Sequence, residues 1–374
     1  MSDRRPGRGA ATLAVLALVA TCLAVAPAPV MARTAAIVGA AAPVRVTTTT
    51  PVPCALWNQQ LPTDWYLPTT APIGLLYAQH GFAESKDDWV DFGMSAAAAG
   101  FVVVAPTLPS ANLFGCTVQS LNNNTRFLGN VANLFAGAGD ANGALARSFA
   151  AALVLAGRPE LTLPSKLAIV GHSVGGESAL YVAGQLSGSG RSGADLRGVV
   201  LADPVRSLSG GNLATALREL SGSVVPGSAV VPAATEPAGS DPAPTSQPGA
   251  DPAAGTTTAE AQPVPLPILV LAAPPQSCNA GQSATRDVIG GLPDRTFFGA
   301  AITTGSHGDI FGTSVNKFER LTCGQPRQVN IDAVRALAIG WLTDAVTGSQ
   351  TADWYPGGTS YDTLISRGVV STLR

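Results

Sequence analysis

Short apolar runs alternate with helical apolar patterns along most of the chain. The runs that predict strands are Val44–Thr49, Ile73–Gln79, Phe101–Ala105, Lys166–Val170, Arg197–Ala202, Ile268–Ala272 and Phe297–Thr303. Apolar spacing predicts helices from an N-cap at Ser85 to about Ala98, over Phe127–Leu155, over about Val174–Leu186 and over Ile331–Val346. Buried strands separated by helices are typical of α/β proteins, so the pattern predicts a mostly parallel central sheet with helices on both faces.

One segment, at about 221–265, interrupts this pattern. It is rich in Pro, Ala, Ser, Thr and Gly, and it has neither an aromatic residue nor apolar periodicity. Such a composition cannot bury enough apolar surface to offset the entropy of ordering it, so we predict a disordered insertion between two strands. A lid over a binding site is the alternative, but a lid for apolar substrates usually has an amphipathic face, and this segment has none.

The N-terminus predicts export. An arginine-rich start is followed by the apolar stretch Ala10–Ala26 and by small residues at the −3 and −1 positions of Val30–Ala32, which predicts a signal peptide over 1–32. The alternatives are a retained membrane anchor and, at Cys22, a lipoprotein site. Because the apolar stretch is at the short limit for a membrane helix, we predict cleavage, no stable membrane span afterwards, and a secreted or cell-envelope location.

The composition excludes a class of partners. Charged residues make up only 12% of the chain, the net charge is −2 and the pI is about 5.9. Nucleic-acid-binding proteins need a basic patch, and none stands out here, so we predict no nucleic-acid partner.

The cysteines agree with export, since disulfides persist outside the cytosol. Cys22 lies in the predicted signal peptide, which leaves Cys54, Cys116, Cys278 and Cys323. Three pairings of these four are possible, and proximity along the chain favours Cys54 with Cys116 and Cys278 with Cys323. No cysteine or histidine pair has zinc-ligand spacing, so no metal site is predicted.

The strongest chemical motif is Gly171-His172-Ser173-Val174-Gly175, which follows a predicted strand and precedes a predicted helix. In that context G-x-S-x-G predicts a sharp turn that exposes the serine hydroxyl at the edge of a sheet. The adjacent helix N-terminus favours negative charge. We therefore predict that Ser173 is a nucleophile and that the backbone N–H of Val174 is one donor of an oxyanion hole.

A serine nucleophile needs a base, and the chain has three histidines. His172 lies inside the turn and is expected to point away from the nucleophile. His80 precedes Gly81 in a loop after an early strand, and the N–H of Phe82 in that loop is the predicted second oxyanion donor. By elimination, His307, which follows the last predicted strand, is the predicted base.

The order of a His-Gly loop, a G-H-S-x-G-G turn, an acid and a final histidine resembles the α/β-hydrolase superfamily. Gly171–Gly176 followed by Leu201–Val205 looks most like the chlorophyllase branch, and it is also similar to platelet-activating-factor acetylhydrolases and cutinase-like polyester hydrolases. The resemblance covers roughly Val44–Gly348 without the insertion. It implies an α/β-hydrolase domain over 33–374, ester hydrolysis by Ser173, Asp203 and His307, and no cofactor.

The acid of this triad also has support from strand ends. Asp203 directly follows the Arg197–Ala202 strand, whereas the Ile268–Ala272 strand is followed by no carboxylate until Asp287. Asp309 is only two residues from the predicted base, too close to orient its ring. The alternative role of Asp203 is to cap a turn before a proline.

These features together predict a secreted serine hydrolase, an esterase or lipase, that acts on a neutral or apolar carboxylic ester. Acyl transfer to another alcohol and amide hydrolysis use the same residues and remain open. A non-catalytic binding protein of the same fold is a third possibility, although the presence of all three triad residue types in order argues against it.

Overall fold

The computed structural model of the chain describes residues 42–121, 123–188, 195–209, 211–229 and 263–374. The strands in these ranges are β1 Val44–Cys54, β2 Trp57–Leu67, β3 Gly74–Gln79, β4 Phe101–Pro106, β5 Lys166–His172, β6 Asp195–Ala202, β7 Val224–Ala229, β8 Pro263–Pro265, β9 Ile268–Ala272, β10 Gly299–Ile302 and β11 Val370–Leu373. The α-helices are α1 Val90–Ala98, α2 Thr125–Ala136, α3 Ala144–Ala156, α4 Val174–Gly188, α5 Asn212–Leu220, α6 Ser283–Gly291, α7 Lys317–Cys323, α8 Gln328–Thr347 and α9 Thr359–Ser366.

Nine of these strands form one sheet in the order β1-β2-β4-β3-β5-β6-β9-β10-β11. The six strands from β4 to β10 in this order are parallel to one another. The strands outside them, β1 and β2 at one edge and β11 at the other, are antiparallel to their neighbours. The sheet is therefore mixed but mostly parallel, and the predicted α/β class is confirmed. The carboxyl ends of β3, β5, β6 and β10 lie along one edge, which is where polar residues after these strands meet.

Side chains alternate between the two faces of the sheet, and each face has its own apolar core. In β5, Leu167 and Ile169 join one core while Ala168 and Val170 join the other. The first core is covered by α2 to α5 and the second by α1 and α8. Because both faces of the central strands are buried, these strands have the continuous apolar sequence that predicted them. The prediction of helices on both faces is confirmed.

One predicted helix is wrong in its length. The pattern over 127–155 predicts a single helix, but the chain forms α2 and α3 with a turn between them. Gly137 ends α2, and the turn is closed by hydrogen bonds from the Asp140 N–H to the Gly137 carbonyl and from the Gly143 N–H to the Asp140 carbonyl. Each glycine costs about 1 kcal/mol relative to alanine inside a helix, so the glycines between 137 and 143 favour the break.

The predicted insertion has structure at both of its ends. The backbone of β7 pairs antiparallel with that of β8, and the Leu266 N–H donates to the Ser223 carbonyl. Composition alone did not predict this pairing because backbone hydrogen bonds need no apolar periodicity. The rest of the insertion, 230–262, lies outside the described residues, as does the predicted signal peptide over 1–32.

One disulfide joins a loop to strand β1, and a second joins a loop to helix α7. They join Cys54 to Cys116 and Cys278 to Cys323, across 62 and 45 residues of chain, so the predicted pairing is confirmed. Within the ranges given above, no helix combines the length and the apolar character that a membrane crossing requires.

Candidate active site

The turn between β5 and α4 holds Ser173 in an unusual backbone conformation. Its φ is +56°, a left-handed value that L-residues other than Asn, Asp and Gly rarely adopt, so the turn is strained. Glycines flank it for steric reasons. A Cβ on Gly171 would lie 2.5 Å from the Gly175 carbonyl oxygen, and one on Gly175 would lie 2.1 Å from the His80 carbonyl oxygen. The turn therefore requires small residues on both sides of Ser173, and the loop at His80 packs directly on it.

Two of the residues predicted to be catalytic meet across 104 residues of chain. The Nδ1 of His307, in the loop after β10, lies 2.5 Å from Oδ2 of Asp203, directly after β6, and both side chains are buried. A carboxylate only accepts hydrogen bonds, so the Nδ1 of His307 donates to Asp203. Asp203 is held further by the Ala273 N–H at 3.0 Å and by the Asn279 side-chain amide at 3.1 and 3.2 Å. Asn279 has no sequence motif and was not predicted.

The other candidate acids lie elsewhere. Asp287, in α6, pairs with Arg206 at 3.1 Å, and both side chains are substantially exposed. Asp309 accepts from the N–H and the hydroxyl of Ser306, at 2.9 and 2.8 Å. Burial raises the pKa of Asp309 to about 6 against the opposing effect of these hydrogen bonds. The structure thus brings Asp203, rather than Asp287 or Asp309, to the Nδ1 of His307.

The two predicted oxyanion donors flank Ser173. A Cβ on Gly81 would lie 2.7 Å from the Cβ of Ser173, so the loop that carries Phe82 lies against the candidate nucleophile. Val174 is the first residue of α4, where backbone N–H groups have no partner within the helix. Among the residues that the structure describes, neither the Phe82 N–H nor the Val174 N–H has an acceptor in the protein. Both are therefore available to a bound oxygen.

His80 is neutral, and both of its ring nitrogens are hydrogen-bonded. Its Nε2 accepts from the Leu108 N–H at 2.9 Å, and its Nδ1 lies 2.7 Å from the Gly81 carbonyl, to which it must donate. One donor and one acceptor describe a neutral imidazole, and burial lowers the pKa of His80 accordingly. Both of its ring nitrogens are therefore hydrogen-bonded to the backbone, of Gly81 within the loop and of Leu108 after β4.

His172 has a partner that was not predicted from the sequence. Its Nδ1 lies 2.9 and 3.0 Å from the carboxylate oxygens of Glu84, and its Nε2 lies 2.8 Å from the His307 carbonyl. Burial of His172 opposes its charge, but the charge and hydrogen bond of Glu84 raise the pKa of His172 to about 9. Burial likewise opposes the charge of Glu84, yet His172 lowers the pKa of Glu84. The two form a buried ion pair.

A third carboxylate, Glu319 of α7, faces the same two histidines. Nitrogen and oxygen atoms of His172, His307 and Glu319 lie within 4.8 Å of one another, close enough to share a cation. However, both nitrogens of His172 already hold hydrogen bonds, so a metal ion bound by this histidine would have to break one of them. Within the described chain, Oε1 of Glu319 has no hydrogen-bond partner. Burial raises the pKa of Glu319, and both histidines oppose this increase.

Comparison with known proteins gives only distant similarities. No family model and no curated protein matches the sequence. Among solved structures, the chain is similar to a dienelactone hydrolase from Anabaena variabilis, with a TM-score of 0.45 and 14% identity over 82% of this chain and 99% of that chain. It is also similar to a thermostable carboxyl esterase from Bacillus coagulans, with a TM-score of 0.27 and 17% identity over 47% and 49% of the chains. For the epoxide hydrolase CorEH the TM-score is 0.26, at 15% identity over 44% of each chain. These similarities are too distant to carry an argument about activity.

Proposed function

We propose that this chain is a serine hydrolase of the α/β-hydrolase fold, which cleaves carboxylic esters with Ser173, His307 and Asp203 as its triad. The observation that carries the proposal is the 2.5 Å hydrogen bond between Asp203 and the Nδ1 of His307. The backbone carbonyl of His307 is in turn hydrogen-bonded to His172, the residue that precedes Ser173. The strained turn at Ser173 adds support, because such turns are retained where a hydroxyl must be exposed to a substrate.

The proposed reaction passes through an acyl-enzyme. The Ser173 oxygen attacks the ester carbonyl carbon while the Nε2 of His307 accepts the hydroxyl proton, and Asp203 stabilises the resulting imidazolium. The carbonyl oxygen becomes an oxyanion that accepts from the N–H groups of Phe82 and Val174. The intermediate then expels the alcohol, which takes the proton from His307. Water repeats the sequence, and it releases the acid and restores the serine. The chemistry requires no metal or cofactor.

The surroundings support a neutral or apolar ester. Phe82, on the oxyanion loop, has 45% of its surface exposed, and Leu208, shortly after Asp203, has 90% exposed. Phe318 is exposed on α7, the helix that ends at Cys323. Apolar side chains at these positions favour an apolar acyl or alcohol group over a charged one. The two disulfides support the proposed location outside the cytosol. The sequence Leu201–Val205 supports the chlorophyllase-like branch among those that the G-x-S-x-G motif resembles.

The test combines covalent labelling with a substrate panel. A fluorophosphonate is expected to label Ser173, mapped by peptide mass spectrometry, and p-nitrophenyl esters of rising acyl length are expected to be hydrolysed. Ser173→Ala, checked for folding, is expected to lose both the label and all but the residual rate that an oxyanion hole supplies. Turnover of amide analogues would indicate an amidase, and ester products with an added alcohol would indicate acyl transfer. A folded wild-type protein with neither label nor turnover would contradict the proposal and favour a binding protein.

A further inference from the structure

The Glu84–His172 pair lies beneath all three loops of the candidate site. Glu84 belongs to the loop after β3, and its Oε2 accepts the Gly81 N–H at 2.5 Å. His172 is the residue before Ser173, and its Nε2 hydrogen bonds to the carbonyl of His307. These contacts join residues 88 and 135 positions apart in the sequence. The pair thus contacts three segments: the loop that carries Phe82 (the oxyanion loop), the turn that carries Ser173 (the nucleophile turn) and the loop that carries His307 (the base loop).

The hydrogen-bond partners fix the protonation of His172. A carbonyl oxygen can only accept, so the Nε2 that faces His307 donates. The Nδ1 faces a carboxylate that already accepts the Gly81 N–H, so it donates as well. An imidazole that donates from both nitrogens is positively charged, and the side chain is fully buried.

The charged and titratable groups around His172 are few among the described residues. Glu84 faces it from the oxyanion loop and Glu319 faces it from α7, the His307 ring lies 4.5 Å away, and the neutral ring of His80 lies nearby. The ring of Phe311 packs on it edge to face, also at 4.5 Å. Of the carboxylates among these residues, only that of Glu84 is hydrogen-bonded to the His172 ring.

We propose, on the basis of the proposed function, that Glu84 and His172 are positioning residues, whose buried ion pair holds the oxyanion loop and the base loop in register around Ser173. The contact of Glu84 with the Gly81 N–H orients the peptide that leads to Phe82. The contact of His172 with the His307 carbonyl holds the backbone that positions the His307 ring. Neither residue touches the reacting atoms. Because catalytic rates depend steeply on geometry, loss of the pair affects turnover more than binding.

The kinetic test removes charge while it keeps shape. Glu84→Gln is expected to lower kcat on a short p-nitrophenyl ester on the order of 100-fold, with little change in KM, because a displacement of about 1 Å has that effect. Glu319→Gln is the matched control, since it removes a buried carboxyl group that faces the same histidines but is not hydrogen-bonded to either ring, and its kcat is expected to fall far less. An equal loss in both variants, or wild-type kcat in Glu84→Gln, would overturn the proposal.

Removal of one partner leaves a buried charge uncompensated, so a single variant can fail to fold. The double variant Glu84→Gln/His172→Gln removes both charges together, and it is expected to fold while its kcat stays about tenfold or more below wild type. Wild-type kcat in this double variant would overturn the proposal too, because the ion pair would then be dispensable for positioning.

A spectroscopic measurement separates this proposal from the proposed function. The chain has three histidines, so nitrogen NMR of histidine-labelled protein resolves each ring. At pH 7.5 the His172 ring is expected to carry protons on both nitrogens in the wild type and to be neutral in Glu84→Gln. A neutral His172 in the wild type would overturn the proposal whatever the enzyme hydrolyses. A charged His172 in a protein that a fluorophosphonate fails to label would instead contradict the proposed function.

Discussion

Replacement of Asp203 by Asn separates the charge of the proposed acid from its shape. The carboxylate accepts from three donors, namely the Nδ1 of His307, the Ala273 N–H and the Asn279 amide. An asparagine has one accepting oxygen and one donating NH₂ group. At least one of the three donors must therefore face the NH₂ group instead of an acceptor. If the NH₂ group faces His307, the ring changes to the tautomer whose Nε2 carries the proton. That nitrogen can no longer accept the proton of Ser173.

The size of the effect follows from this change of tautomer and from the loss of the charge that stabilises the imidazolium. The same exchange in Ser-His-Asp enzymes lowers kcat on the order of 10⁴-fold, which corresponds to about 5.4 kcal/mol of transition-state stabilisation. The assay is kcat on a short p-nitrophenyl ester, with thermal unfolding to show that the variant is folded.

The matched control is Asp287→Asn. Asp287 pairs with Arg206 at 3.1 Å where both side chains are exposed, and such a pair contributes at most about 1 kcal/mol to stability. We expect its kcat to equal that of the wild type. If Asp287→Asn lost activity and a folded Asp203→Asn kept it, the acid would lie in α6, after β9, rather than directly after β6, and the hydrogen bond at His307 would be structural.

Three other perturbations test the frame around the site. Replacing Cys278 and Cys323 by Ser is expected to lower the free energy of unfolding by about 2–4 kcal/mol in a urea titration, and an unchanged midpoint would contradict this. Ala229 and Pro263 are cross-strand partners, so removing 230–262 and joining them by a short turn is expected to preserve kcat on short esters, whereas a large loss would indicate a lid. Asp309 has a pKa of about 6 when folded, against 3.8 when unfolded, so its stabilising effect is present below about pH 4 and is lost as the pH rises through 6. Asp309→Asn is therefore expected to gain up to about 3 kcal/mol relative to wild type between pH 4 and pH 7.5 in thermal unfolding, and a difference that is independent of pH would refute the pKa shift.

The sequence predicts best those strands that are buried on both faces. Ile268–Ala272 is found with the predicted bounds, because five consecutive apolar residues have no other stable place than between two covered faces. Strand β2 was not predicted. Its first half, Asn58–Gln60, is polar and mostly exposed, and Pro62 interrupts the pattern, yet the strand pairs with β1 along its whole length. Only tertiary pairing reveals such a strand, since its backbone bonds do not depend on its side chains.

The residues of the candidate site likewise divide into those that the sequence predicts and those that it does not. Motif and elimination direct attention to Ser173 and His307, and the strand-end argument to Asp203, because the topology of parallel strands brings such ends to one edge. Glu84 and Asn279 have no comparable pattern. Each acts through a partner 88 or 76 residues away, so its role depends on which loops meet after folding. The sign that would reveal such a residue is its burial in a loop, and burial is not visible in the sequence.

The charges at this edge also bear on why the Glu84–His172 pair exists. Three buried carboxylates, those of Glu84, Asp203 and Glu319, surround two histidines. An ion pair in such a place is a poor device for stability, because well-packed apolar residues of similar volume are often as stable or more so. Apolar side chains, however, cannot accept the Gly81 N–H or donate to the His307 carbonyl, and both groups would then be buried without partners. The arrangement is therefore better explained by the orientation that it imposes on two loops than by the free energy that it adds, which is why kcat, rather than melting temperature, is the decisive measurement for Glu84→Gln.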